Sequence, residues 1–317
     1  MKKKNPWLML LVLLLVFGGF LTLIAVLTVK PFFKDRGLTM SSKSILHLKL
    51  TGVIMDGKKV LKPLIKYRDD NSIKAVVIEI NSPGGVVGPS QELYEEIKRV
   101  REEYKKPVVA VSTAVMASGA YYAAVAADKI LVAPGTMVGS IGVIMEFTNL
   151  EKLYDWAKVS RFSISTGKFK DSGAEYRPMR EDERALFQDL INDVYEQFVA
   201  AVAEGRELKP EFVKEYADGR VFTGRKATEL GFADDVGTVE DAFDLAAELS
   251  GLGDDYDVFE PPKVRPSLWD LISSGDDEEA TTLLPWKSAD NKLNEALKSV
   301  LRIELSNKPL LLMPGVY

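Results

Sequence analysis

Residues Lys74–Thr113 read KAVVIEINSPGGVVGPSQELYEEIKRVREEYKKPVVAVST. The stretch opens on a short β-branched run, KAVVIEI (Lys74–Ile80), and breaks at Asn-Ser-Pro-Gly-Gly. Pro89 and Ser90 then start a helical pattern, with Leu93, Ile97 and Val100 at helical spacing, before a second apolar run, PVVAVST (Pro107–Thr113). Strand, helix and strand in this order predict a parallel β-α unit rather than a sandwich.

The same alternation extends outward. ILHLKLTGVI (Ile45–Ile54) alternates like a strand, and KILVAP (Lys129–Pro134) is a further short apolar run. Downstream, EDERALFQDLINDVYEQFVAAVAEGR (Glu181–Arg206) predicts a long amphipathic helix with acidic residues in its first turn. GRKATELG (Gly224–Gly231) and TVEDAFDLAAELSG (Thr238–Gly251) predict two more. From Leu252 to Pro285 the sequence turns to GDDYD, PP, SSGDDEE and TTLLP, which reads as linker, and NKLNEALKSVLRI and PLLLMPGVY close the chain. The expected organisation is a body at 44–251, a linker at 252–285 and a C-terminal helix with an apolar tail at 286–317.

The N-terminus, MKKKNPW (1–7), precedes an uncharged apolar run from Leu8 to Val29, about as long as a membrane-spanning helix. No small-residue cleavage pattern precedes Lys30, so the run reads as a retained anchor (8–29) followed by a linker (30–43). Lys2, Lys3 and Lys4 place the N-terminus in the cytoplasm. The expectation is a single-pass protein of the inner (plasma) membrane with its body on the extracytoplasmic side.

Composition removes whole classes of chemistry. A net charge of −5 with 41 Lys and Arg spread along 317 residues leaves no basic stripe for nucleic acid. The absence of cysteine excludes disulfides, thiolate metal sites and a cysteine nucleophile. With one histidine and no Gly-rich turn ending in Gly-Lys-Ser/Thr, neither a metal nor a cofactor is expected.

A candidate nucleophile stands in MASGAYYAAVAADKI (Met116–Ile130), where Ser118 lies between two small residues. A serine needs a base for its proton and preformed donors for the developing oxyanion. His47, the sole imidazole, sits in a strand pattern and reads as a half-buried structural residue. That leaves a desolvated lysine as the base. INSPGGVVG (Ile80–Gly88) puts two glycines after a buried strand, where their amides can turn toward a carbonyl. Taken alone, each motif has a plainer reading: SPGG a tight turn, and ASGAYYAAVAA a closely packed helix.

Together, NSPGG, MASGAYYAA with ADKI, GSIGVI, TGKFKD and DGRVFTGRKATELG resemble, across roughly Ser44–Gly251, the signal peptide peptidase A family of membrane-anchored Ser-Lys proteases (peptidase family S49), in its short single-unit form. The resemblance implies a crotonase- and Clp-protease-like spiral of β-β-α units. It implies Ser118 as nucleophile, Lys170 in GKFKD as general base, and the amides of Gly85 and Ser118 as the oxyanion hole. Ser140 in VGSIGV matches the hydroxyl that holds the lysine amine. Lys168 stays open as an alternative to Lys170, since two residues apart in an extended segment they point the same way.

Glu175, Arg177, Arg180 and the EDER run read as solvated or helix-start charges. The expected function is hydrolysis of remnant signal peptides and similar hydrophobic peptides. A non-catalytic scaffold of the same fold and a crotonase-like acyl-thioester enzyme are the alternatives. The resemblance also implies a homo-oligomeric ring whose sites are shared between adjacent subunits. The tail PLLLMPGVY, too apolar for a loose end, is expected to pack on a neighbouring subunit or in the peptide groove.

Overall fold

A computed structural model describes residues 42–262 and 309–313. In chain order the elements are β1 (Ser44–Thr51), α1 (Lys58–Tyr67), β2 (Ile73–Asn81), β3 (Gly84–Val86), α2 (Val87–Glu102), β4 (Val108–Ser112), β5 (Val115–Ala117), α3 (Gly119–Ala124), β6 (Lys129–Val132) and β7 (Met137–Gly139). They continue with α4 (Glu151–Ala157), α5 (Glu181–Arg206), α6 (Pro210–Tyr216), β8 (Val221–Thr223), α7 (Gly224–Glu229), β9 (Asp235–Val236), α8 (Val239–Ser250), β10 (Asp257–Phe259) and β11 (Leu310–Leu312).

The long strands form a six-stranded sheet, β10-β1-β2-β4-β6-β9, parallel throughout. Such a sheet is covered on both faces, so its strands become nearly continuous apolar runs. All five residues of β4 are buried, and β2 buries Ala75–Ile78 in succession. On one face, α8 packs Ala242, Phe243, Ala246 and Ala247 onto Ile45, Ala75, Val77, Val109, Val111 and Leu131. Burying a side chain the size of Phe243 in this layer contributes about 1.5–3 kcal/mol. Thr238 and Asp241 cap that helix reciprocally, and Gly251, at φ 70°, ends it.

Each of β2, β4 and β6 is followed by a short strand, respectively β3, β5 and β7. These short strands leave the main sheet and approach one another: Ser82 bridges Met116, β5 pairs with β7, and β7 with β8. The mixed α/β architecture with a parallel sheet agrees with the pattern of Lys74–Thr113. Helix α5 has the bounds that its periodicity predicts, and its C-terminal half packs on α3, with the Phe198 and Tyr122 rings 4.9 Å apart. Gly205 allows that approach, because a Cβ there would lie 2.0 Å from the carbonyl oxygen of Val125.

Two segments expected outside the body join it. Asp257–Phe259, within the expected linker, adds to the β1 edge in parallel register, satisfying backbone groups that β1 would otherwise leave open. Leu310–Leu312, in the expected tail, pairs antiparallel with Gly84–Val86. The expectation of a single-pass membrane protein is corrected. Among the described residues no helix is long and apolar enough to cross a membrane, and Leu8–Val29, on which that expectation rested, lies outside them.

Candidate active site

Ser118 stands between β5 and α3 with φ 51° and ψ −120°, a conformation that L-residues rarely adopt. The cost of such a backbone is on the order of 1–3 kcal/mol, met by the surrounding packing. The residue is wholly buried, and its Oγ is one of two buried side-chain polar atoms among the described residues with no hydrogen-bond partner. Its N–H, expected to face a substrate carbonyl, donates instead to the Gly139 carbonyl at 2.7 Å. That bond follows from the β5–β7 ladder, in which Ala117 pairs with Gly139. The same pairing brings Ser140 into register with Ser118, and Ser140 shares its φ of 51°.

The Gly84-Gly85 turn lies against the start of α3. A Cβ on Gly84, whose φ is +97°, would fall 2.1 Å from the Leu311 carbonyl oxygen, 2.6 Å from Gly119 N and 3.0 Å from Ser118 Cβ. Only glycine fits this crossing. The Ser82 hydroxyl accepts the Gly84 N–H at 3.2 Å and fixes the turn.

β11 runs through a slot between two backbone edges. On one side, Val87 N–H donates to Pro309 O, and Met313 N–H to Pro83 O. Antiparallel ladders alternate, so between those bonds Leu311 and Gly85 form the hydrogen-bonded pair, with Gly85 N–H on the Leu311 carbonyl. On the other side, Leu310 exchanges both backbone bonds with Ile144, at 2.9 and 3.0 Å. The three leucines are at most 3% exposed. A peptide carbonyl therefore rests on the Gly85 amide beside a serine hydroxyl that has no partner.

Lys170 lies in a run of turns closed by Lys170 N–H to Gly167 O, Ser172 N–H to Phe169 O and Ala174 N–H to Asp171 O. It is exposed, and the structure does not join it to Ser118 within one chain. Lys168 differs in having a partner: its Nζ lies 2.7 Å from Asp182 Oδ2. Of the charges read as solvated or helix-start, Glu181–Arg184 do open α5 and Glu181 and Arg184 are exposed, but Glu183 is not solvated. Glu183 is fully buried, binds both Arg177 and Arg180, and has its carboxyl lowered to about 2, first by the hydrogen bond from Arg177. Sequence reasoning missed this cluster because its residues open a helix with an acidic turn, an ordinary exposed pattern. His47 has Glu260 on Nδ1 at 2.9 Å and Glu79 on Nε2 at 3.1 Å, so both ring nitrogens are engaged away from Ser118. No group of His, Cys, Asp or Glu among the described residues is arranged to hold a metal.

This backbone-lined slot, with a peptide carbonyl beside a buried serine, can be compared with known proteins. Residues 101–253 match the profile of peptidase family S49. A protein of Synechocystis sp. named as a candidate protease is 41% identical over 279 residues, covering 86% of this chain and 96% of that protein. A protein of Enterococcus faecium named as a candidate signal peptide peptidase SppA is 33% identical over 227 residues, covering 68% of this chain and 66% of its own length. Serine protease SPPA, chloroplastic, of Arabidopsis thaliana is 33% identical over 229 residues, covering 71% of this chain and 34% of that protein. The chain belongs to peptidase family S49.

Proposed function

We propose that the chain is a serine endopeptidase in which Ser118 is the nucleophile and Lys170 the general base. The observation that carries this reading is the Leu311 carbonyl held at Gly85 next to the partnerless Ser118 Oγ. A substrate would lie where β11 lies. Oγ attacks the carbonyl carbon as the lysine amine takes its proton, and the C=O electron pair moves to oxygen. Gly85 N–H receives that oxyanion. Gly119 N–H takes the second position, since as the first residue of α3 it has no acceptor within the helix and Ser118 N–H is engaged by Gly139. Collapse breaks the C–N bond, the lysine returns the proton to the leaving amine, and water hydrolyses the acyl-enzyme. Ser140, in register with Ser118, accepts from the lysine amine without adding a charge that would keep it protonated.

Lys170 comes from an adjacent copy in a closed ring. Its exposure supports this, as do apolar side chains in the sequence just before it: Trp156, Phe162 and Ile164 are 80%, 78% and 94% exposed, much apolar surface for an isolated chain. The three long-strand, short-strand pairs are the β-β steps of a crotonase- and Clp-like spiral. Remnant signal peptides and similar apolar peptides, which suit a slot filled by leucines, are the substrates.

The test mixes Ser118→Ala and Lys170→Ala chains, each inactive alone, by dissociation and reassembly. Shared sites in a closed ring should restore about a quarter of the parent activity. Mixed rings that form but stay inactive would put both groups in one chain. Full activity in Ser118→Ala would move the nucleophile elsewhere.

A further inference from the structure

The turn bearing Lys170 is gripped from behind. Arg177 makes a two-pronged contact with Glu183, Nη1 to Oε2 at 2.9 Å and Nη2 to Oε1 at 2.6 Å. Its Nη2 also donates to the backbone carbonyl of Asp171 at 3.0 Å and lies 3.1 Å from Asp171 Oδ2. Arg180 donates to the backbone carbonyl of Lys168 at 2.8 Å, and its other contacts go to Asp171, Asp182 and Glu183. The two carbonyls held belong to residues flanking Lys170, so the arginines fix the backbone on either side of it.

Charge around the turn is paired as tightly as backbone. Asp171 faces Arg177 and Arg180, which hold its carboxyl below the usual carboxylate range, the hydrogen bond from Arg177 contributing most. Tyr176 and Ser163 approach the same oxygen, each at 3.4 Å. Glu175 is engaged by Arg161, and Asp182 by Lys168 and Arg180. Each of these carboxylates is engaged by at least one cation, and none of them pairs with Lys170.

We propose that Arg177, anchored by the buried Glu183, is a positioning residue for Lys170, fixing the turn and keeping the Asp171 carboxylate off the lysine amine. The proposal rests on Lys170 being the base. A lysine next to a free aspartate keeps its proton, because the opposite charge favours the ammonium form. By occupying Asp171, Arg177 takes that carboxylate away from the neighbouring amine. The chemical requirement is a cation that absorbs the carboxylate, and a fork that also holds the carbonyl beside it.

The test compares the pH dependence of kcat/KM on an apolar chromogenic peptide for the full chain, Arg177→Gln, Arg177→Gln/Asp171→Asn and Lys170→Ala. Arg177→Gln should move the rising alkaline limb upward by about one pH unit. Adding Asp171→Asn should return it to the parent position, which a merely loosened turn would not do. Arg177→Lys, which keeps the charge and loses the fork, should lower kcat while leaving the pH midpoint in place; it also serves if Arg177→Gln melts at the assay temperature. An inactive Lys170→Ala together with a parental profile in Arg177→Gln, or a shift that survives Asp171→Asn, overturns the positioning role alone. Parental activity in Lys170→Ala overturns the base, and the positioning role with it.

Discussion

Ser118→Ala should abolish hydrolysis and make the isolated chain more stable. The Ser118 hydroxyl is buried and unpartnered, and a buried hydroxyl without a hydrogen bond costs about 1–3 kcal/mol relative to a paired one. Alanine removes that oxygen and leaves the Cβ in its contacts. The backbone strain at φ 51° stays, because alanine suffers it as serine does. Subtracting a fraction of a kcal/mol for the lost packing of one atom leaves a net gain of about 1 kcal/mol. For a body of this size that raises Tm by about 2–4 °C. The gain should be read by circular dichroism melts at protein concentrations low enough to dissociate the proposed ring, so that no lysine of another copy partners Oγ. A peptide cleavage assay on the same preparations gives the second readout. A lowered Tm in Ser118→Ala would refute the view that the site stores unsatisfied polarity, and surviving cleavage would refute the nucleophile.

Truncating the chain after Lys308 removes β11 and should lower the apparent KM for an added apolar peptide with kcat little changed, since a tethered strand competes at roughly millimolar effective concentration; an unchanged KM would mean that the tail does not compete with substrate. Gly84→Ala should reduce kcat by about 100-fold or more, because the added methyl falls on the Leu311 carbonyl position and on Gly119 N, while near-parental kinetics would show that the turn relaxes freely. Glu183 has a folded carboxyl at about 2, below its unfolded value, so its contribution to stability is complete above about pH 4.5 and is lost as pH falls toward 2. Melts of Glu183→Gln should lack that acid-dependent part, and identical pH curves for variant and parent would contradict the buried pairing. Lys168→Ala should be mild, since Lys168 is tied to Asp182; a loss as deep as that of Lys170→Ala would reverse the choice of lysine.

What the sequence disclosed, it disclosed through local repetition. The runs at Lys74–Ile80 and Pro107–Thr113 are apolar because both faces of the sheet are covered, and Glu181–Arg206 shows its helical period because its C-terminal half packs on α3. Gly85 stood out through the pair of glycines, and the crossing at Gly84 explains why both are needed. Other features depend on encounters between distant residues. The Ser118 amide is consumed by Gly139, a partner set by the β5–β7 register and by nothing in MASGA itself. Arg177 and Glu183 look like surface charges in the sequence, because nothing in it shows that they pair with each other and with the Asp171 carbonyl. β10 is a three-residue strand inside polar surroundings, too short for a periodicity to register, whereas the apolarity of PLLLMPGVY marked β11 as a packing segment without indicating the strand it forms.

The slot around β11 is bounded on both sides by main chain, Gly84–Val86 on one side and Ile144 on the other. An occupant must offer unpaired N–H and C=O groups in both directions, which an α-helix cannot do while its own ladder is intact. A helical peptide has to unwind over at least the span from Pro309 to Met313 before its carbonyl can reach Gly85. If substrates lie where β11 lies, conformation filters them ahead of side-chain chemistry: folded domains would have no such loose segment to surrender, and short fragments severed from their stabilising surroundings would be the easiest to admit.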